Sequence, residues 1–417
     1  MWNVIETKLN TRWVQLLTGV LCMMCISSPQ YVWALFTKPL GSQLNVGLTE
    51  LQITFSILIV LQTFFSPFQG YLVERFGAKR LLSMGFILTG TSWALASRAN
   101  SIFELYLTYG LLGGLGTGIV YIGVVGQAVK WFPAKRGFAV GMVAAGYGMG
   151  AVVTTFPIAH SLVSQGIQET LWWFGCLIGV IGWLLAQALR SPQLSTGKGF
   201  PKLNGVSPKE MLKSPVFWLL FLMMSMMSTS GLMVISQMGA IAKDYQVSDA
   251  VVFGMAALPL ALTIDRLTNG LTRPFFGWVS DVWGRENTMC FAFGLEAVAM
   301  LLWILSIDQP LLFVILSGVV FFGWGEIFSL FPSTLTDTFG EKHATTNYGF
   351  LYMAQGVGSV IGGPVAAMVH ASTGSWISVF VLMISLDLMA ACLAIGLLKP
   401  IRKKYLINQP RSSSIGS

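Results

Sequence analysis

The sequence predicts an all-α membrane protein whose twelve transmembrane helices form two pseudo-symmetric six-helix bundles. Three observations predict it: the composition, the recurrence of apolar runs, and a repeated turn. Of 417 residues, 54% are hydrophobic and only 10% are charged, too little polar surface to coat soluble domains of this length. Runs of about 20 apolar residues, the length that carries a helix across the hydrocarbon core, recur from Trp13 to Leu398.

In chain order the runs fall at 13–36, 49–72, 81–98, 101–126, 137–160, 171–189, 216–242, 250–279, 288–306, 310–333, 346–370 and 375–398. The first is long and ends without a small-residue cleavage pattern, so it reads as a span and no cleavable signal peptide is needed. Lys8 and Arg12 precede it, Arg75, Lys79 and Arg80 follow the second run, Lys130, Lys135 and Arg136 follow the fourth, Lys213 precedes the seventh and Arg285 follows the eighth. Of the 25 basic residues all but five fall on the side that holds both termini. Lys38, Arg98 and Lys243 fall on the other side, and Arg266 and Arg273 sit inside the eighth run. Cytoplasmic connections retain positive charge during insertion, so this bias predicts a multi-pass protein of the cell inner membrane with both termini cytoplasmic. The same spread accounts for the net charge of +8 without a nucleic-acid partner. Cys22, Cys25, Cys176, Cys290 and Cys392 all lie inside the expected spans and form no disulfide framework; the Cys22–Cys25 spacing reads as apolar packing.

The connection after the second span reads Gly70-Tyr-Leu-Val-Glu-Arg-Phe-Gly-Ala-Lys-Arg80, and the one after the eighth reads Gly277-Trp-Val-Ser-Asp-Val-Trp-Gly-Arg-Glu286. Gly70, Glu74 and Gly77 in the first copy correspond to Gly277, Asp281 and Gly284 in the second, with Arg75 and Arg80 or Arg285 close by. Glycine permits the sharp turn, and the charges are placed to bridge neighbouring helix ends. A second correspondence links Gly137–Gly146 with Gly349–Gly358. The repeat divides the chain into an N-terminal six-helix bundle at 1–190, a cytoplasmic linker at 191–215 and a C-terminal bundle with a cytoplasmic tail at 216–417. The repeated acidic-glycine-basic turn resembles the signature of the major facilitator superfamily, with Glu74 where aspartate is usual. The resemblance implies two bundles that rock about a midplane site.

Charges at membrane depth are costly and therefore point to function, which singles out Asp265, Arg266, Arg273, Glu296, Glu326 and Asp387. At 100° per residue Arg266 and Arg273 stand about 20° apart around the eighth helix and about 10 Å apart along it, with Asn269 about 40° from Arg273. The stripe must line protein or water. Arg273, in a glycine-containing segment that ends on Pro274, is the expected carboxylate clamp, since a guanidinium grips a carboxylate through two parallel hydrogen bonds; a structural ion pair is the alternative. Arg266, next to Asp265, reads as an internal pair or gate. Asp265 and Glu326 are candidates for proton coupling, while Glu296 and Asp387 read as helix bridges. His160 and His370 fall near the outer ends of spans and read as interfacial. Tyr31, Trp33, Tyr121, Trp324, Phe328 and Tyr352 are candidate aromatic walls, although any one of 28 Phe, 14 Trp and 10 Tyr is first of all a packing or interface residue.

Pro29-Gln-Tyr-Val-Trp33, Gly118-Ile-Val-Tyr121, Lys130-Trp-Phe-Pro-Ala-Lys-Arg-Gly137, Thr272-Arg-Pro-Phe-Phe-Gly277 and Leu330-Phe-Pro-Ser333 together resemble the oxalate/formate antiporter family. The resemblance implies that Arg273 and a cage of Gln30, Tyr31, Tyr121 and Trp324 enclose a small organic anion. Phe328 and Tyr352 stand where oxalate exchangers of the family carry tyrosine and tryptophan. Gln355 stands where they carry a second cation, a lysine. A dianion near one guanidinium keeps an uncompensated charge, at several kcal/mol in a low-dielectric site, whereas a monoanion does not. Gln355 still donates a hydrogen bond to a carboxylate or hydroxyl. The expected function is secondary active transport of small carboxylates by alternating access and anion exchange, a monocarboxylate such as formate, lactate or pyruvate being favoured. Proton-coupled monocarboxylate symport, oxalate:formate antiport despite the missing lysine, and a non-transporting membrane sensor are the alternatives. No zinc spacing, phosphate loop or nucleophile elbow appears, so neither an enzyme, a metal nor a cofactor is expected; glycines such as Gly113–Gly118 serve close helix packing. The expected partners are the small anion, a proton and the bilayer, with the chain acting as a monomer.

Overall fold

Several breaks within the apolar runs fall at serine, proline or glycine, as at Ser28–Pro29, Ser66–Pro67, Gly166 and Gly325. A computed structural model describes residues 11–192 and 205–408, so the expected linker falls outside the described residues from 193 to 204. Helix α1 (Arg12–Cys25), the single turn α2 (Ser28–Tyr31) and α3 (Trp33–Leu44) make up the first span, bent by 43°. Pro29 lies in the first turn of α2, where a missing N–H costs nothing. The second span is α4 (Leu48–Phe64) and α5 (Ser66–Phe76), bent by 53° with Pro67 opening α5. They are followed by α6 (Ala78–Ala96) and α7 (Ile102–Trp131), the latter widened by a π turn over Tyr106–Leu112. Helix α8 (Arg136–Ala188) has 53 residues and is broken at Gly166, whose φ of 81° is open to glycine. At 1.5 Å per residue an unbroken helix of that length would run to about 80 Å, more than two bilayer cores, so α8 supplies two spans.

A short helix α9 (Pro208–Met211), closed by a reciprocal Ser207–Glu210 cap, precedes α10 (Pro215–Asp244). The eighth span starts later than the sequence suggests: Val251–Val252 (β1) and Met255–Ala256 (β2) pair as a small antiparallel hairpin, and α11 runs from Ala257 to Trp283. Helices α12 (Arg285–Leu305), α13 (Pro310–Trp324), α14 (Ile327–Phe339), α15 (Ala344–Thr373) and α16 (Trp376–Asn408) complete the chain. Among the described residues seven helices are long and apolar enough to cross a membrane, nine when each bent pair counts as one span. The two halves of α8 are one of these seven, and α6 and α11 fall outside the criterion; α11 does so because it carries Asp265, Arg266, Arg273 and Asp281. Each of the twelve apolar runs thus has a helical counterpart.

Backbone packing divides the chain into two units. The first comprises Met1–Pro133, Met142–Gln193 and His343–Gly356, and the second Ala134–Gly141, Leu194–Lys342 and Val357–Ser417. Within the first, Trp33, Phe36, Trp93 and Tyr109 form an aromatic core, Trp33 and Tyr109 with ring centroids 4.7 Å apart. Trp33 is therefore a core residue. The Tyr109 hydroxyl, on the π turn of α7, donates to the Pro29 carbonyl at 2.7 Å and so fixes the break that presents Gln30 and Tyr31. Helices α6 and α7 approach so closely that a Cβ on Gly116 would stand 2.7 Å from the Gly85 carbonyl oxygen.

Candidate functional site

In the first unit five helical segments bring amides and tyrosines together. The Tyr147 hydroxyl on α8 donates to Gln30 Oε1 at 2.6 Å and accepts from Gln62 Nε2 of α4 at 3.1 Å. Its ring lies 5.5 Å from that of Tyr31 and 5.2 Å, edge on, from that of Tyr121. Tyr121 stacks on Tyr352 at 4.7 Å with the planes 19° apart, and Tyr352 lies 5.7 Å from Tyr348. Tyr121, Tyr147, Tyr348, Tyr352 and Gln355 are buried, while Gln30 and Tyr31 are half-buried. Gln355 follows Tyr352 by three residues on α15, nearly one helical turn. The unit thus gathers Gln30, Tyr31, Tyr121 and Tyr352, which the sequence singles out, with Tyr147 and Gln62, which it does not. Tyr147 looks like one more aromatic next to a glycine repeat; the legible signal for Gln62 was an amide in the middle of an apolar run.

In the second unit the charge is concentrated on α11. Arg273 is 1% exposed. Its Nη2 donates to Asn269 Oδ1, one turn earlier, at 2.7 Å, and its guanidinium carbon lies 4.5 Å from the centre of the Phe328 ring, a cation–π contact. The Phe328 and Trp324 rings meet edge to face at 5.7 Å, and Trp324 Nε1 donates to the Met227 carbonyl of α10 at 2.8 Å. What lets the α13–α14 break reach this place is Gly325: a Cβ there would stand 2.6 Å from the Asn269 carbonyl oxygen. Glu326 occupies the break itself, fully buried, with its carbonyl accepting from Ser329 and Leu330.

Two expectations for α11 change. Arg266 is exposed although it shares the angular position of Arg273. The two differ in depth along the helix: Gly325 of the α13–α14 break packs on Asn269 and Thr272, beside Arg273 and about 10 Å along the axis from Arg266. The expected Asp265–Arg266 pair is also not formed: Asp265 is 3% exposed, neither of its oxygens receives a hydrogen bond, and it turns toward Ser317 of α13. His370 stacks on Trp376 at 3.9 Å, and His160 is exposed.

The repeated turns end helices with positive-φ glycines, Gly77 at 88° and Gly284 at 96°. In the second unit Asp281 accepts from the Gly137 and Phe138 amides at 3.0 and 2.9 Å, capping the start of α8, and pairs with Arg285 at 2.7 Å. Arg285 continues to Asp337 at 2.8 Å, and Asp337 to Arg136 at 2.6 Å, which also pairs with Glu341. The backbone of Gly277 packs directly on that of Gly137. In the first unit Glu74 accepts from the Thr345 and Thr346 amides at 2.9 and 3.2 Å and from the Thr346 hydroxyl at 2.6 Å, capping the start of α15, with His343 Nδ1 3.7 Å away. Gly70 packs on this same segment, where a Cβ would stand 2.7 Å from the Thr345 carbonyl oxygen. Arg75 instead bonds the Tyr71 hydroxyl at 3.0 Å, and Arg80 is exposed. Arg136, Asp337 and Glu341 in the second unit, and His343 in the first, were not legible as partners because they lie far along the chain from the turns they serve.

The profile of the Major Facilitator Superfamily matches residues 16–265 and 222–414. The oxalate:formate antiporter of Oxalobacter formigenes is 33% identical over 395 residues, covering 93% of this chain and 91% of that protein. Monocarboxylate transporter 4 of Gallus gallus is 25% identical over 391 residues, covering 89% and 79%. The proton:xylose symporter XylE shares the fold with a TM-score of 0.70 at 13% identity, over 93% of this chain and 96% of that one. A profile match over most of the sequence, together with a relative this similar along nearly its whole length, establishes that the chain belongs to the Major Facilitator Superfamily, in the family of the oxalate:formate antiporter, and is a multi-pass membrane transporter and not an enzyme.

Proposed function

We propose that this chain is a secondary active transporter that exchanges small carboxylate anions by alternating access, with monocarboxylates such as formate, lactate or pyruvate preferred over oxalate. The observation that carries the reading is Arg273, buried with its guanidinium held by Asn269 and over the Phe328 ring. A buried guanidinium fixed in this way is preorganised for a carboxylate. Trp324 and Phe328, and the cluster of Gln30, Tyr31, Tyr121, Tyr352 and Gln355, contribute uncharged contacts. Gln355, where oxalate exchangers carry lysine, leaves one fewer positive charge for a second carboxylate. The names of the relatives, an oxalate:formate antiporter and monocarboxylate transporters, agree in substrate class. The charge bias supports an inner-membrane topology with both termini cytoplasmic, and the chain works as a monomer.

Counterflow in proteoliposomes tests the preference. Formate, lactate or pyruvate self-exchange is expected to exceed oxalate self-exchange; dominant oxalate exchange would refute it. Proton-coupled symport is a second reading, favoured by the buried carboxyl groups of Asp265 and Glu326. Collapse of the pH gradient separates the two: monoanion exchange persists, whereas concentrative symport ceases.

A further inference from the structure

Gln62, in the first unit on α4, is 1% exposed, and its Oε1 receives no hydrogen bond from the described residues. Its amino group is engaged: Nε2 donates to the Tyr147 hydroxyl at 3.1 Å, and that hydroxyl donates to Gln30 Oε1 at 2.6 Å. A phenol has one proton, so the direction of the chain is fixed once Tyr147 gives that proton to Gln30. What is left over is a bare carbonyl oxygen at the Gln62 end and an amino group at the Gln30 end. Polarisation along such a chain makes the oxygen a better acceptor, and the amino group a better donor, than either would be in isolation.

Packing sets Gln62 at the level of the candidate residues of α15. Gly356, next to Gln355, lies on Thr63, next to Gln62, so closely that a Cβ there would stand 2.5 Å from Thr63 Oγ1. Beyond the α4–α5 break the Ser66 hydroxyl donates to the Gly349 carbonyl at 2.7 Å. Tyr352 and Gln355 therefore fall between two contacts that tie α15 to the chain beside Gln62. Gln69 of α5 also has a buried oxygen without a donor, but its amino group is turned to the backbone carbonyls of Leu61 and Leu115 and not to a tyrosine of the site.

A buried acceptor without a donor is costly, and a ligand that brings a donor removes the cost. The small carboxylates differ in this respect. Formate, pyruvate and oxalate are ionised at neutral pH and then offer acceptors only, whereas a 2-hydroxycarboxylate such as lactate or glycolate adds one hydroxyl proton. The donor end of the chain at Gln30 suits a carboxylate, and the acceptor end at Gln62 suits that hydroxyl. Water is the competitor the hydroxyl displaces. We propose that Gln62 is a specificity-determining residue whose carbonyl accepts the hydroxyl of a 2-hydroxymonocarboxylate, the preferred class of cargo. A site that bonds a substrate hydroxyl rejects the analogue lacking it, because the acceptor is then left unpaired. The proposal rests on the carboxylate reading above and narrows it to lactate or glycolate over formate or pyruvate.

The test uses the full-length protein in proteoliposomes with lactate, pyruvate and propionate, which share charge and carbon skeleton and carry at C2 a hydroxyl, a carbonyl or neither. In wild type the KM for lactate exchange is expected about tenfold below those for pyruvate and propionate, or 1.4 kcal/mol. This comparison needs no variant. In Gln62→Leu and Gln62→Met, which put apolar groups of similar size in place of the amide, the lactate advantage is expected to shrink to about twofold or less, lactate losing more than pyruvate. A packing fault would weaken all three substrates alike and leave the ratio as it was. Pyruvate or propionate taken as well as lactate by wild type overturns the proposal, as when the Gln62 carbonyl holds water only, and leaves the carboxylate reading intact. A lactate advantage that survives both substitutions overturns the assignment to Gln62. Transport of none of formate, lactate, glycolate, pyruvate and oxalate refutes the carboxylate reading itself, and the proposal with it.

Discussion

The two units bury their polarity in opposite forms. In the first, Gln62, Tyr147 and Gln30 form a chain of neutral hydrogen bonds among tyrosine rings; in the second, Arg273, Glu326, Glu296 and Asp387 are all buried. Neutral groups satisfy one another at little cost and can read the shape of a ligand. Buried charges are costly until a counter-ion or proton arrives, so they respond to one. On the proposed function, selection falls to the first unit and energetics to the second. The largest test of that division removes the cation. Arg273→Ala is expected to lower carboxylate counterflow about 100-fold, from the loss of a charge-assisted bidentate contact of about 3 kcal/mol, whereas Arg273→Lys retains part of it. Counterflow of Arg273→Ala within a few-fold of wild type would end the assignment.

The complementary test puts a charge into the neutral unit. Gln355→Lys restores the cation that oxalate exchangers carry at this position, and the ratio of oxalate to formate exchange is expected to rise about tenfold, or 1.4 kcal/mol. An unchanged ratio would show that charge count does not set the preference.

The turns extend the comparison to helix ends. Asp281 joins a network with Arg285, Asp337 and Arg136, whereas Glu74 relies on two amides, a hydroxyl and His343. Neutralising the second copy therefore removes more. Asp281→Asn is expected to cost about 2 kcal/mol, since a buried arginine loses a partner, and Glu74→Gln about 1 kcal/mol or less, since the amide oxygen still caps α15. Thermal unfolding of the two purified variants in detergent compares them; an equal or greater loss in Glu74→Gln would contradict the asymmetry.

Much of this was legible because it is written locally. Apolar runs give spans by length alone, and the glycines, acids and arginines of the turns recur in fixed order. Arg273 stands out because charge at membrane depth is rare. What was not legible depends on where helices meet. Equal angular positions suggested that Arg266 and Arg273 share an environment, but Arg273 is buried beside the α13–α14 break that Gly325 admits at Asn269 and Thr272, while Arg266 is exposed. Partners such as Asp337 for Arg285 carry no local mark. Nor does the sequence show how deeply Glu296 and Asp387 are buried, since that is a property of all the surrounding helices.

The smallest expected effect on transport falls on the residue that the sequence concealed best. Tyr147 accepts from Gln62 and donates to Gln30, so it sets how the Gln30 amide is turned. Tyr147→Phe keeps the ring contacts with Tyr31 and Tyr121 and removes only the hydroxyl, leaving Gln30 Oε1 without this donor. A neutral hydrogen bond contributes about 1 kcal/mol, so a rise of about fivefold in KM for formate exchange is expected. If the first unit selects by shape and hydrogen bonding, this loss should be uneven across carboxylates, larger for lactate, whose hydroxyl needs an oriented amide, than for formate, which has none. The same loss for both would make Tyr147 a packing residue and leave selection to the charged unit alone.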